Sequence, residues 1–278
     1  MTLIASFRTA DGIVLAGDSL ATMSARLQFQ GEVPAKCPEC QHEFTLKPSI
    51  NAQIPASTFP YAQKVFAFLE SYGIGTFGAS EVFGKTMWFA ITELETSLGK
   101  TRRSELLSDG VRVAANAIGK HIHELLKKQV GGLKKMKELG SRTVVGFQIV
   151  GYDDDVAKSV EVNIGNGVRT KEHTGRTCTV SGMKEIVAAL WDLGSKDPRY
   201  HPPVQAFSLQ DAINYVDFLI RTTALCQQFS QVIPGVGGDV DIALVTPFNG
   251  FQWIRQKELG KVLGGGRHGW RTENGAYR

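Results

Sequence analysis

The stretch Thr2-Leu3-Ile4-Ala5-Ser6-Phe7-Arg8-Thr9-Ala10-Asp11-Gly12-Ile13-Val14-Leu15-Ala16-Gly17-Asp18-Ser19 decides how this chain is read. Leu3 to Arg8 reads as a strand, Asp11-Gly12 is a strong hairpin signal, and Ile13-Val14-Leu15-Ala16 returns as a second strand. A two-residue Asp11-Gly12 loop would set Asp18 opposite Ala5, on the face away from Thr2. A bulge near Gly17, or a longer loop, is then needed to aim Asp18 inward.

Working outward, the character changes from Ser24 to Pro60, where prolines 34, 38, 48, 55 and 60 interrupt the chain and no period appears. This predicts an irregular insertion at about 24–60, too long for an ordinary turn. Lys64-Val65-Phe66-Ala67-Phe68 and Tyr72 to Phe77 read as a strand pair. Two long helices follow, one over about Ser80 to Leu98 and one over roughly Arg103 to Lys128, from apolar residues near helical spacing. Val144 to Val150 is a nearly continuous apolar run, as in a strand buried on both faces. Val160 to Ile164 alternates, and Thr177 to Val180 is a short strand. A helix starts near Met183, and Ser208 with Asp211 caps another reaching about Phe229. Asp241 to Thr246 and Phe251 to Ile254 close with a hairpin. The order predicts an α+β, four-layer αββα sandwich of two mainly antiparallel sheets between helical layers.

The chain has 278 residues, 42% hydrophobic and 21% charged, a composition that excludes disorder and suits one domain over 1–254. No apolar run is long enough to span a membrane, and the start lacks a charged leader with a long apolar segment, so no membrane partner and a cytoplasmic location are expected. Lys+Arg 31 against Asp+Glu 27 gives +4. The stretch 255–278 alone carries six Lys/Arg and two Glu, also +4, so the rest is formally neutral. That Gly-rich basic tail is read as flexible, or as an arm touching a neighbouring subunit. No nucleic-acid partner is expected, because such readers carry their charge on a folded face.

Thr2 follows the initiator Met and is small, so processing should expose it. A hydroxyl and a free α-amine on one residue form a complete nucleophile–base pair. The amine titrates near pH 7.7–8.0 and accepts a proton at neutral pH. By itself such a threonine is most often just the first residue of a strand. The hairpin around it, Ala21-Thr22, Lys64-Val65-Phe66, Gly75-Thr76-Phe77-Gly78, Val150-Gly151-Tyr152-Asp153, Ser181-Gly182 and Gly237-Gly238-Asp239-Val240-Asp241-Ile242-Ala243-Leu244-Val245-Thr246 resemble, in order, proteasome β-subunits of the N-terminal-nucleophile (Ntn) hydrolases. The early insertion and long tail look most like the betaproteobacterial proteasome homologue.

The resemblance implies an Ntn-hydrolase fold and a self-compartmentalised threonine peptidase acting through an acyl-enzyme. Thr2 would be the nucleophile and Lys64 the neighbouring ammonium that keeps the amine unprotonated. Asp18 would pair with Lys64, Gly75 would give the oxyanion-hole amide, and Ser181 would support the amine. Thr22 and Phe77 would pair their backbones with an extended substrate. The implied partners are copies of the chain in stacked rings, possibly a double heptamer or tetradecamer, an unfolded polypeptide or peptide substrate, and an unidentified ATPase or regulator. Active family members carry an Asp and a Ser where Ile233 and Val236 stand here, and neither can hydrogen-bond through its side chain. A catalytically weak ring acting as scaffold, or a small-molecule amidase on the same fold, are the competing readings.

Cys37-Pro38-Glu39-Cys40 with His42 looks like half of a zinc knuckle. Zinc takes four ligands and no second Cys-x-x-Cys exists, so no cofactor is expected. A reduced or degenerate knuckle is the default, with a bound zinc or a local disulfide as alternatives. Cys178 and Cys226 fall on a strand and a helix, where core thiols are common. His121 and His123 read as surface residues on different faces of a helix.

Overall fold

The first hairpin forms as expected: β1 (Leu3–Arg8) and β2 (Ile13–Asp18) pair antiparallel, and every residue of both is buried. The computed structural model describes residues 2–47, 49–230 and 233–258. Along the chain follow β3 (Ala21–Gln30), β4 (Val33–Lys36), β5 (Glu43–Leu46), β6 (Ser49–Phe59), β7 (Val65–Phe68) and β8 (Tyr72–Gly78). Next come β9 (Glu81–Val82), β10 (Lys85–Thr86), α1 (Met87–Ser97), α2 (Lys100–Ser108), α3 (Val111–Val130) and α4 (Leu133–Glu138). The second half holds β11 (Val145–Asp153), β12 (Val156–Ile164), β13 (Val168–His173), β14 (Cys178–Gly182), α5 (Glu185–Lys196), α6 (Leu209–Gln228), β15 (Val240–Thr246) and β16 (Gly250–Arg255).

Two five-stranded antiparallel sheets result, in the orders β14-β1-β2-β15-β16 and β13-β12-β11-β8-β7. Helix α6 packs on β1, β2 and β15, and α3 packs on β11, β12 and β13. The period of two in each strand sorts the core into three layers. Leu3, Ala5, Phe7, Val14 and Ala16 pack under α5 and α6. Ile4, Ile13 and Leu15 face the second sheet, where they meet Val65, Phe77 and Val150. Ile74, Phe147, Ile149, Val160 and Val162 face α3, which presents Val111, Ala115, Ile118 and Ile122 from one stripe. The architecture is the four-layer αββα sandwich of the Ntn-hydrolase fold. Among the described residues no helix is long and apolar enough to cross a membrane.

Several local expectations need correction. The insertion is not irregular. Strands β3 and β6 pair from Ala21↔Phe59 to Gln30↔Ser49, and β4 pairs with β5 at the far end of that ribbon. The ribbon joins neither five-stranded sheet, so no core imposes a period of two on its sequence. The first helix starts later, because Glu81 to Thr86 form a small hairpin and Thr86 caps α1 by accepting from Phe89 N at 3.2 Å. The second long helix is two helices. Gly110 breaks it with φ +88, and Asp153 Oδ1 accepts from Val111 N at 2.7 Å to satisfy the start of α3. Cys226 is exposed on α6 rather than in a core. His121 and His123 are half-buried, and the Nε2 of each is buried without a hydrogen-bond partner among the described residues.

The last strand continues into residues assigned to the tail. Arg255 closes β16, its Nε donating to Val240 O at 3.0 Å, and Lys257 is buried. The rest of the predicted tail, from 259 onward, lies outside the described residues.

Candidate active site

The register question at the first hairpin is settled by its loop. Arg8 pairs with Ile13, so Thr9 to Gly12 form a four-residue loop, closed by Thr9 N donating to Gly12 O at 2.9 Å. Thr9 Oγ1 also donates to Gly12 O and accepts from Asp11 N and Gly12 N. The longer loop shifts the ladder by two residues relative to the two-residue alternative. Ile4 then faces Gly17 without a bulge, and Asp18 comes level with Leu3, still on the face away from Thr2 and Ile4, so it meets Lys64 as the last residue of β2 rather than through a change of face.

Thr2 stands one residue before β1 and is only 4% exposed. Its carbonyl accepts from Met183 N at 2.8 Å. The approach of β14 here requires glycine: Gly182 has φ +88, and a Cβ on it would lie 2.0 Å from Thr2 O. Thr2 lines a cavity of about 420 Å³ together with Thr22, Lys64, Phe77, Gly78 and Glu81, among others. The β3 start, the turn into β7 and the end of β8 thus converge on the residue before β1.

Behind the cavity wall lies a buried ion pair. Lys64 Nζ is 3.0 Å from both carboxylate oxygens of Asp18 and donates to Leu20 O at 2.5 Å. Asp18 also accepts from Leu3 N at 3.0 Å and from Leu20 N and Gly237 N at 3.1 Å. Burial pushes the Asp18 carboxyl up and the Lys64 ammonium down, each against the opposing charge of its partner. A second buried pair adjoins it. Asp241 faces Gly17 across the sheet, accepts from Lys257 N at 2.7 Å and is ion-paired to Lys257 Nζ. The Lys257 charge lowers the Lys64 ammonium further, and the Asp241 charge opposes that.

Ser181 lies on β14 opposite Ile4, and alternation along β1 puts Thr2 and Ile4 on one face. Its Oγ donates to Glu161 Oε2 at 2.6 Å and accepts from Gln148 Nε2 at 2.7 Å. Glu161 Oε1 accepts from Asn163 Nδ2 at 2.6 Å. At the two positions lacking the expected Asp and Ser, Ile233 is exposed and Val236 is buried.

Of the sequence-predicted site residues, Thr2, Thr22, Lys64 and Phe77 line one cavity, and Asp18 holds Lys64 from behind. Thr22 Oγ1 donates to Pro234 O at 3.1 Å. Ser181 is absent from the cavity wall, although its strand flanks Thr2. Gly75 is absent too, and the phase of the ladder explains why. Thr76 N donates to Lys64 O and Ala79 N to Val144 O, so amides alternate between the β7 side and the β11 side along β8. The Gly75 amide faces β11, and its Cα packs under Ile4, where a Cβ would meet a methyl at 2.5 Å. Gly78 has the opposite phase. Its amide points to the β7 side, where Ala62 has turned away to donate to Ser19 O. Alternation thus turns the Gly78 amide, three residues on from Gly75, away from β11 and toward the side of the cavity that Gly78 lines.

Sequence reasoning also missed Glu161, Gln148, Asp241 and Lys257. The alternation of β12 was legible, but not that its odd residues face the other sheet and its even residues face α3. Among the described residues no group of three or more His, Cys, Asp or Glu is placed to hold a metal. At the ribbon's tip, backbone N–H groups of Cys40 and Glu39 donate to Cys37 Sγ and push that thiol below its ordinary range.

No family model matches the chain, and no curated protein matches it. Among solved structures it is similar to the Anbu (Gly-1) mutant from Hyphomicrobium sp. strain MC1, with a TM-score of 0.56, 12% identity, and 92% of this chain and 86% of that one covered. The assignment to proteasome β-subunits, and to their betaproteobacterial homologue, is thereby corrected. Its motifs are carried by short turns and strand ends that the fold itself demands, and the likeness found is one of fold.

Proposed function

We propose that the chain is an N-terminal threonine peptidase that hydrolyses peptide bonds through an acyl-enzyme on Thr2, within a closed assembly of its own copies. The observation that carries this reading is that Thr2 and Lys64 share one cavity, with the Lys64 ammonium clamped by Asp18.

In this reading, loss of Met1 frees the Thr2 amine. Thr2 Oγ attacks the scissile carbonyl carbon while that amine takes the hydroxyl proton. The ammonium of Lys64 disfavours a second positive charge nearby and so keeps the amine ready to accept a proton. The oxyanion of the tetrahedral intermediate accepts from the Gly78 amide, a contact worth roughly 3–4 kcal/mol in comparable sites. Collapse passes the proton to the leaving amine, and water then hydrolyses the Thr2 ester. Strand β3 pairs only with β6 among the described residues, which leaves an edge beside Thr22 for an extended substrate. Exposed Trp88 and Phe89 on α1 support burial against another copy.

The test is covalent labelling by an epoxyketone or β-lactone. Thr2→Ala is expected to abolish labelling; labelling at the wild-type rate would remove Thr2 as nucleophile. One observation favours a weaker enzyme, or a ring that acts as a scaffold. The positions of Ile233 and Val236 supply no polar side chain, which leaves support of the amine to Ser181 and Glu161.

A further inference from the structure

The tip of the ribbon carries chemistry that peptide hydrolysis does not use. Strands β4 and β5 pair from Val33↔Leu46 to Lys36↔Glu43, and the turn between them holds Cys37, Cys40 and His42. Cys37 N donates to His42 O at 2.9 Å, and Gln41 N donates to Cys37 O at 3.0 Å. Gln41 takes φ 62, the left-handed conformation that folds the chain back under the two cysteines. The Cys40 thiol and two backbone N–H groups contact Cys37 Sγ, and neither cysteine is in a disulfide. Two sulfurs thus sit together on a tight turn whose amides offset thiolate charge, the arrangement that holds two of zinc's four ligands.

We propose that this hairpin is one half of a tetrathiolate zinc site, completed by Cys37 and Cys40 of a second copy of the chain. The second copy follows from two observations. No third His, Cys, Asp or Glu is placed to join the pair among the described residues, and the other cysteines lie on β14 and α6 in the body of the fold. The register also puts Val33, Ala35, Phe44 and Leu46 on one face of the hairpin, and Val33, Phe44 and Leu46 are 46%, 43% and 50% exposed. A two-stranded hairpin is marginal alone, and packing that face on its own copy would bury it beside the metal. Binding involves no redox change: each thiol releases its proton to solvent as its sulfur binds the ion, so affinity rises with rising pH and is lost on acidification.

The experiment uses the full-length chain, purified reduced and equilibrated with zinc. Metal analysis is expected to give one zinc per two chains. Cobalt(II) in its place should show the thiolate charge-transfer and d–d bands of four sulfur ligands. Cys37→Ser with Cys40→Ser should lose both signals while Thr2 labelling stays at the wild-type rate. No bound zinc, one zinc per chain, a two-sulfur cobalt spectrum, or zinc retained by the double variant would each overturn the proposal. The zinc count does not depend on Thr2, so failure of the peptidase reading leaves it standing.

Discussion

Asp18 is 0% exposed and Lys64 6%, so both charges have left water, at an effective cost of several kcal/mol each. What offsets that cost is geometry: two contacts from Lys64 Nζ and three backbone amides converge on one carboxylate. Asp18→Asn would leave the ammonium buried without a counter-charge. The expected loss is about 3–5 kcal/mol in urea unfolding, with covalent labelling slowed about a hundredfold. Labelling at the wild-type rate in a folded Asp18→Asn protein would take this pair out of the reaction. Strong strand patterns placed Thr2 and Lys64 next to strands and Asp18 at the end of one, but only the resemblance gave these residues roles. The orientation of the Gly75 and Gly78 amides was not legible, because only the phase of β8 against its two neighbours decides which amide faces β11 and which faces away from it. Glu161 and Lys257 stayed hidden for a similar reason: each meets its partner through a sheet contact that no local motif signals.

The boundary between α2 and α3 is fixed by one reach across the fold. Asp153, at the end of β11, accepts from Val111 N and also pairs with Lys158 at 2.7 Å. Asp153→Ala would strand the first amide of α3, an expected loss of about 1–2 kcal/mol in thermal or urea unfolding with the fold retained. No change in stability would mean that water satisfies that amide equally well. The apolar spacing of residues 103–128 announced helix but could not reveal the break, since a left-handed glycine between two helical stripes leaves their period intact. The ribbon of β3 and β6 was illegible for the opposite reason. Strands show through a sequence when one face must be buried, and this pair lies outside both large sheets.

For the whole molecule, the buried neutral acids set an alkaline limit. Burial pushes the Tyr72 hydroxyl up to about 12, and it donates to Leu106 O at 2.9 Å; the Cys178 thiol is likewise pushed up to about 12. Both groups bind protons more tightly when folded, so their contribution is complete below their unfolded values. Above those values the unfolded chain loses its protons first, and stability falls with rising pH until the folded groups ionise as well. Unfolding free energy should therefore decline between about pH 9 and 12, by up to about 1.4 kcal/mol per pH unit for each group. Tyr72→Phe should flatten part of that decline, and an unchanged slope would exclude Tyr72 as its source. The sandwich as a whole was readable from the order of hairpins and helices, since two apolar-faced sheets leave few ways to cover four faces. The central claim is that an amino-terminal threonine, uncovered by loss of Met1, does the chemistry. Intact mass of the purified protein after incubation with a β-lactone tests it most directly. The account predicts a chain lacking Met1 and carrying one inhibitor, with the adduct mapped to Thr2; a chain that keeps Met1 and stays unmodified would contradict it.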